Sequence, residues 1–428
     1  MDAVARSNLS PDFRRFWTGQ TISQLGSSFT EFALPLLVFK LTGSAINLGV
    51  TSAAEMLPYL LFGLVIGAWV DRLNRKRMMI VVDVLRAVVV ATIPLLAALH
   101  VLSVWHIYAV GFVSSTLTIF FQSGEFAAIP SLVETDDLVT ANGRIQASYS
   151  AAQVMGPLLA GAMITVVPVQ TVMLIDAASF LVSAYALGLI GRSFNAEKEE
   201  GERTTIRQDV LEGLRYVLRH PVLRNISAMM SMVNFFTATV FAQLVFFSKV
   251  RLHATDPEVG WLFAAGSGGV VVLSLAAGRL RKRWPFSRVA LGSLMVYGIS
   301  MMALAFTRLY WLALPLWALC SGVGILFNIN TGSLRQAIVP SHLLGRVISI
   351  AGVLAWSAIP LGALLGGFVV HWTGDVALVY GVIGVSVFAI AFTFLAFSPL
   401  GHAERYLPQA AQSAAVTGNA SETGAGEA

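Results

Sequence analysis

The chain has 428 residues, of which 56% are hydrophobic and only 12% are charged, and its formal net charge is +5. Soluble domains carry roughly 25% charged residues, so this composition excludes a soluble globular protein of this length. The basic residues stand in short loops rather than on one patch, which argues against a nucleic-acid partner.

Apolar stretches of roughly twenty residues recur along the chain, each long enough to cross a hydrocarbon core of ~30 Å. Backbone groups in lipid must bond within their own segment, and no period-2 alternation is present, so these stretches predict helices. The predicted fold class is an all-α membrane protein with about twelve transmembrane helices in two pseudo-symmetric six-helix bundles. We predict spans at 15–40, 46–70, 78–99, 105–125, 142–166, 169–191, 224–248, 258–280, 287–307, 310–332, 346–371 and 375–398.

Lysine and arginine residues concentrate in alternate loops, which predicts the orientation of the spans. One set of loops is rich in them, including the run at 192–224. The opposite loops hold only Lys40, Lys249, Arg251 and Arg308. By the positive-inside rule we expect a multi-pass protein of the inner (plasma) membrane with both termini in the cytoplasm.

Residues 193–222 form the one long polar connection, and they divide the chain into two parts of similar size. The predicted domains are an N-terminal bundle at 1–192, a cytoplasmic linker at 193–222, a C-terminal bundle at 223–400 and a disordered tail at 401–428. Within the linker, Arg207 to Arg219 predicts an amphipathic surface helix that ends before Pro221.

The two halves repeat a pattern. Ile129-Pro130-Ser131 and Gly143-Arg144 precede the fifth span, and Val339-Pro340-Ser341 and Gly345-Arg346 precede the eleventh. Repeated halves are typical of secondary transporters, which place the substrate site at the repeat interface near the bilayer midplane. The repeat therefore favours a transporter over a channel or a membrane enzyme.

The loop after the second span runs from Gly67 through Asp71-Arg72 to Arg75-Lys76-Arg77, with Asn74 at a turn position that is usually glycine. It resembles the signature loop of the major facilitator superfamily. Phe16-Trp17-Thr18-Gly19-Gln20 and Asp176-Ala177-Ala178-Ser179-Phe180 are similar to the branch that includes enterobactin exporters and macrolide efflux proteins. This resemblance covers about 1–400 and implies proton-coupled export, by alternating access, of a bulky amphipathic compound such as a macrolide or a siderophore.

Two alternatives stay open at this point. One is facilitated transport or import of a small polar metabolite, which would favour more charged residues in the second-half spans. The other is a non-transporting membrane scaffold, which has no need of a gate loop. We find no catalytic grouping, cofactor motif or metal-ligand spacing, so we expect no enzyme, cofactor or metal. The expected partners are a small-molecule substrate, protons and the lipid bilayer, and we expect a monomer.

Ionisable groups within a span cost about 2.5–3.5 kcal/mol on insertion scales, so they normally face a partner or a wet cavity. The first-half spans hold several and the second-half spans essentially none. The candidates for proton coupling are Glu31, Glu55 and Asp176, and Glu125 is a further acid within a span. Each has a structural alternative, a carboxyl hydrogen-bonded to a neighbouring helix or, for Glu55, one in water at the outer surface.

Charged residues of the signature loop and the third span are candidates for an inner gate. Asp83 and Arg86 are spaced i, i+3 and are expected to pair on one helix face. For the loop arginines, the positive-inside rule is the alternative explanation. The complete gate set is Gly67, Asp71, Arg72, Arg75, Arg77, Asp83 and Arg86.

Two further sets complete the candidates. Polar and aromatic residues within spans are expected to line the substrate cavity, although buried aromatics more often serve packing: Gln24, Gln153, Asn234, Phe235, Asn328 and Trp356. Small residues and prolines are expected to bring helices close together, in a pattern that resembles an exporter motif: Gly156, Pro157, Gly161, Pro360, Gly362 and Gly366.

Overall fold

The computed structural model describes residues 10–70, 73–134, 137–194, 206–339 and 341–406, and the regular elements in these ranges are helices. The all-α fold class is therefore confirmed for this part of the chain. The long helices of the first half are α1 (Pro11–Thr42), α2 (Ala45–Val70), α3 (Arg75–Ala98), α4 (Val104–Leu132), α5 (Leu138–Met163) and α6 (Val169–Gly188).

The remaining helices follow the polar connection. They are α7 (Ile206–Arg219), α8 (Pro221–Ala242), the short α9 (Leu244–Phe246) with a π-helical turn at Phe247–Arg251, α10 (Asp256–Arg283), α11 (Phe286–Phe306), α12 (Tyr310–Ile338), α13 (Ser341–Trp356), α14 (Ile359–Thr373), α15 (Val376–Phe397) and a 3₁₀ segment at Pro399–Tyr406. The amphipathic helix predicted before Pro221 is present as α7. The prediction of a disordered tail from residue 401 is wrong at its start, because the residues up to Tyr406 belong to the 3₁₀ segment and Ala403 is fully buried. The rest of the predicted tail, from residue 407 on, lies outside the described residues.

Eleven of these helical segments are long and apolar enough to cross a membrane. The predicted fifth span is α5, which is a helix but is not among the eleven. The reason is its composition, because it carries polar residues along its length, among them Asn142, Arg144, Gln146 and Gln153. The chain is thus a multi-pass membrane protein, and α5 is more polar than its other long helices.

The chain divides into two compact units, the first comprising residues 1–201 and 254–264 and the second residues 202–253 and 265–428. The predicted domain boundaries stay a prediction, and nothing in the sequence indicated that residues 254–264 belong to the first unit. The predicted roles of the two halves and of the linker stay predictions.

In the first unit, α1 is fixed at both ends. The Ser10 hydroxyl accepts a hydrogen bond from the Phe13 amide at 3.1 Å and donates one to the Leu132 carbonyl at 2.8 Å. The helix ends at Gly43, whose φ of +60° is the left-handed conformation that glycine adopts without strain. Between these ends, Phe13 and Phe16 are fully buried in the core of the unit.

The predicted packing residues of α5 lie at close helix contacts within the first unit. A Cβ atom at Gly156 would lie 1.9 Å from Ser28 Oγ of α1, and one at Gly161 would lie 3.3 Å from Gly260 Cα. Gly260 in turn faces the carbonyl oxygen of Pro157, 2.6 Å from the position of a Cβ. Gly260 was not identified from the sequence, because nothing near it repeats the glycine–proline pattern of α5.

In the second unit, the predicted eleventh span is two helices rather than one. The helix is interrupted between Trp356 and Ile359, because the ring nitrogen of Pro360 carries no hydrogen to donate to the carbonyl one turn earlier. After the break, Gly362 and Gly366 lie against α8. Thr239 Oγ1 donates to the Gly362 carbonyl at 2.9 Å. A Cβ atom at Gly366 would lie only 1.9 Å from the same Thr239 Oγ1 atom.

The contact at Gly366 gives a first prediction. Gly366→Ala should destabilise the chain by about 1–3 kcal/mol, because the new methyl overlaps Thr239 and the tightly packed helices must shift. The measurement is the midpoint of thermal unfolding of the purified protein in detergent.

Gly292→Ala is the matched control. Gly292 lies in α11 of the same unit, where a Cβ would meet nothing within 4 Å, so this substitution should leave the midpoint unchanged or raise it slightly. Equal midpoints for the two variants would contradict the packing role of Gly366.

Candidate functional site

Arg86 is a buried cation on α3 of the first unit. The exposed fraction is 9% for Arg86 and 0% for Asp83. Arg86 Nη1 lies 3.6 Å from Asp83 Oδ1, an ion-pair distance that is too long for a good hydrogen bond. Neither oxygen of Asp83 has a hydrogen-bond partner in the described ranges. The pair is therefore held by charge rather than by directed hydrogen bonds.

An aromatic ring also stabilises the guanidinium group. The Cζ atom of Arg86 lies 3.9 Å from the centroid of the Phe180 ring of α6 and 5.6 Å from that of Phe121 of α4. The face of an aromatic ring attracts a cation, and the attraction grows when both groups are removed from water. Arg86 is thereby fixed between three helices of the first unit.

Arg86 interacts electrostatically with carboxyl groups from four helices. They are Glu31 of α1, Asp83 of α3, Glu125 of α4 and Asp176 of α6. A fifth acid, Glu55 of α2, interacts with Glu31. We call Arg86 and these five acids the acid cluster. The sequence predicted only the local pair of Asp83 and Arg86, because the other acids are far away along the chain.

Glu31 differs from the other members of the cluster in its exposure. It lies in the middle of α1 between buried neighbours, yet its own side chain is exposed. It interacts electrostatically with Asp176, Arg86 and Glu55. Glu55 is half-buried, and its Cγ atom would lie 3.3 Å from a Cβ placed on Gly111 of α4.

Asp176 is 1% exposed and is surrounded by serine hydroxyl groups. Ser27 of α1 and Ser179 of α6 donate to its Oδ1 atom at 3.3 and 3.4 Å. These weak hydrogen bonds join α1 to α6. The structural bond that was an alternative for this residue is therefore present, alongside its place in the acid cluster.

Glu125 was named from the sequence but was given no role. It is 6% exposed, and Tyr149 of α5 donates a hydrogen bond of 2.7 Å to its Oε2 atom. Its Oε1 atom has no hydrogen-bond partner among the described residues. Tyr149 also borders a small polar cleft lined by the candidate Gln24 with Trp17, Gln20, Thr21, Ile145 and Ser148. The sequence showed only that Glu125 is an acid within a span. It did not indicate the hydrogen bond, because Tyr149 is on the next helix.

The candidate gate residues of the signature loop are placed in part. Asp71 and Arg72 lie outside the described residues, and Gly67 lies within α2. Arg75 Nη1 donates to the carbonyl of Phe194 at 3.2 Å, so this arginine contacts the chain beyond the end of α6. Arg77 is exposed, and its amide donates to the Asn74 side chain that caps α3. The gate role stays a prediction.

The other candidate cavity residues are dispersed. Gln153 is exposed on α5 of the first unit. In the second unit, Asn234 Nδ2 donates to the Ala355 carbonyl at 2.8 Å, and Phe235 packs edge-on against Phe236. Asn328 and Trp356 are exposed. Their role in binding a substrate stays a prediction.

A profile of the family described as "Transmembrane secretion effector" matches residues 7–416. The chain belongs to this family. The match confirms the resemblance to the major facilitator superfamily and identifies the chain as a transporter rather than an enzyme. The protein is thus a multi-pass membrane protein that handles small molecules.

Several curated relatives and solved structures are similar to this chain over most of its length. The multidrug efflux pump Tap of Mycolicibacterium fortuitum is 28% identical over 355 residues, which cover 80% of this chain and 85% of that protein. Macrolide efflux protein A of Streptococcus pyogenes is 23% identical over 375 residues, covering 86% and 92%. The structure of a bacterial homologue of the iron transporter ferroportin has a TM-score of 0.73 at 16% identity, covering 92% and 99%, and shares the fold.

The arrangement around Arg86 predicts an asymmetry between two substitutions. Arg86→Gln should destabilise the protein by about 3–5 kcal/mol, because the buried Asp83 loses the cation with which it pairs. Asp83→Asn should cost clearly less, because Arg86 keeps three other carboxyl groups. Thermal unfolding in detergent at neutral pH measures both.

The double variant Asp83→Asn/Arg86→Gln is the internal control. It should recover part of the stability that Arg86→Gln loses, since no buried charge of the pair remains. If Asp83→Asn alone were as damaging as Arg86→Gln, Arg86 would not be the shared partner of the cluster.

Proposed function

We propose that this protein is a proton-driven exporter of bulky amphipathic compounds. The substrate is a macrolide or a siderophore. The observation that carries the proposal is the acid cluster, which combines five carboxyl groups with one arginine in the first unit. Two similar proteins named as efflux pumps support the direction of transport.

The charge balance of the cluster supports proton binding. Two carboxylates about 6 Å apart at an effective dielectric constant of about 20 repel each other by ~3 kcal/mol. One guanidinium group does not balance five ionised carboxylates in a membrane interior, so the cluster is expected to hold protons. In the described spans of the second unit, no aspartate or glutamate lies away from the helix ends, so proton coupling is assigned to the first unit.

Glu31 is the proposed carrier because it is the exposed member of the cluster. An exposed carboxyl group in the middle of a transmembrane helix is expected to face water rather than lipid, and can then exchange its proton. Its electrostatic links to Asp176 and Arg86 connect each exchange to the buried groups. Glu55 shares the site, and the pair of Glu125 and Tyr149 is a second, buried proton acceptor.

We expect the protein to work as a monomer in the inner membrane, with both termini in the cytoplasm. In this arrangement protons enter at the outer side and the substrate leaves with the opposite movement of a proton. The Lys/Arg bias of the loops supports the orientation.

Glu31→Gln tests the carrier role. Glutamine keeps the size and hydrogen bonding of the side chain but does not release a proton, so substrate-induced proton movement should fall to the level of empty vesicles. The measurement uses proteoliposomes loaded with a pH-sensitive dye and a macrolide as the added substrate, with size-exclusion chromatography to verify folding.

Glu134→Gln is the control, because Glu134 is an exposed acid in a loop of the same unit and should leave proton movement unchanged. Unchanged proton movement in Glu31→Gln would reject Glu31 as the carrier. The same assay on Glu125→Gln separates the two acceptors, since a full loss there with normal coupling in Glu31→Gln would assign the role to the buried pair.

The substrate class has its own test. Expression in a host that lacks its own drug pumps should raise the macrolide concentration that stops growth, and Glu31→Gln should abolish this protection. No protection against macrolides, together with release of a siderophore into the medium of a producing host, would assign the siderophore instead.

A further inference from the structure

An apolar groove of about 500 Å³ lies between α11 and α15 of the second unit. Its walls include Met302 and Phe306 of α11 and Leu378, Val382 and Val385 of α15. All but Met302 are exposed, and Phe306 has 82% of its surface accessible. We call this feature the α11–α15 groove. It belongs neither to the acid cluster nor to the candidate cavity residues.

Small residues form the floor of the groove. A Cβ atom on Gly381 would lie 3.8 Å from the Cβ of Ala305, so the two helices meet there with little side-chain volume between them. Further along, Gly298 and Gly384 are in direct contact, since a Cβ on either one would lie within 3 Å of the other's carbonyl oxygen. The groove is therefore a permanent consequence of close helix packing rather than a gap in a loose core.

The length of the groove matches one leaflet of a bilayer. It extends along α15 from Asp375 at the helix start to Ser386. Eleven residues of helix rise by about 16 Å, and half of a ~30 Å hydrocarbon core is about 15 Å. An acyl chain that enters at the membrane surface would fill the groove to the middle of the membrane.

Two opposite charges stand at the mouth of the groove. Arg251 ends the π-helical turn, and its Nη2 atom donates to the Ala305 carbonyl at 3.3 Å, which fixes the guanidinium group at the end of α11. The Nε atom of Arg251 is buried and has no hydrogen-bond partner among the described residues. Asp375 is held in place as the cap of α15, because its Oδ1 atom accepts hydrogen bonds from the amides of Ala377 and Leu378.

We propose that the α11–α15 groove binds one phospholipid whose headgroup carries a primary ammonium, that is, phosphatidylethanolamine. The phosphate pairs with Arg251, whose fork of N–H donors suits phosphate oxygens, and the ammonium pairs with Asp375. One acyl chain lies in the apolar groove. Phosphatidylglycerol offers the same phosphate but has no cation for Asp375, so it should bind more weakly.

Native mass spectrometry of the full-length protein tests the proposal. The detergent-purified chain, stripped of lipid, is titrated with phosphatidylethanolamine and, separately, with phosphatidylglycerol. Arg251→Gln should weaken the binding of both lipids about tenfold or more, because it removes the charge-assisted hydrogen bonds to the phosphate that both lipids share. Asp375→Asn should reduce the affinity for phosphatidylethanolamine to that for phosphatidylglycerol, while asparagine still caps α15.

Arg308→Gln is the matched control, because it removes an exposed cation just beyond α11 that does not line the groove. It should bind both lipids as the unaltered chain does. The proposal is overturned if the unaltered chain binds the two lipids equally well, if Arg251→Gln binds phosphatidylethanolamine as tightly as Arg308→Gln does, or if a macrolide displaces the lipid. Should Arg251→Gln fail to fold, the change in lipid preference in Asp375→Asn decides the question.

Discussion

The buried guanidinium group of Arg86 is the interaction on which the first unit depends. Carboxyl groups from α1, α3, α4 and α6 all interact with it, and each would be expensive to bury without a cation nearby. The ring of Phe180, which lies on α6 with Asp176, stabilises the same cation. A single cation thereby interacts with carboxyl groups from four helices of the first unit.

The two units differ in their chemistry although their sequences repeat a pattern. The first concentrates ionisable groups within its spans, while the described spans of the second hold no aspartate or glutamate away from their ends. Close packing in the second unit relies on glycine, at Gly298 and Gly384 and at Gly362 and Gly366. The two units therefore differ in composition, with ionisable side chains within the spans of the first and close glycine contacts in the second.

The exposed and the buried carboxyl groups complement each other in a transporter of this family. Glu31 has access to its surroundings, whereas Glu125 is buried and has Tyr149 as a donor. The polar cleft beside Tyr149 lies next to this buried pair.

The sequence by itself determined the membrane class, the helices and the family, because hydropathy and short motifs are local properties. It also named every acid of the cluster. Tertiary structure alone decided that these acids share Arg86, that Tyr149 donates to Glu125, that Gly260 packs on α5, and that Arg251 and Asp375 stand at one groove. These partners are far apart along the chain or on different helices, and the rotation of each helix about its axis, which sets the contacts, is fixed only when all helices pack together.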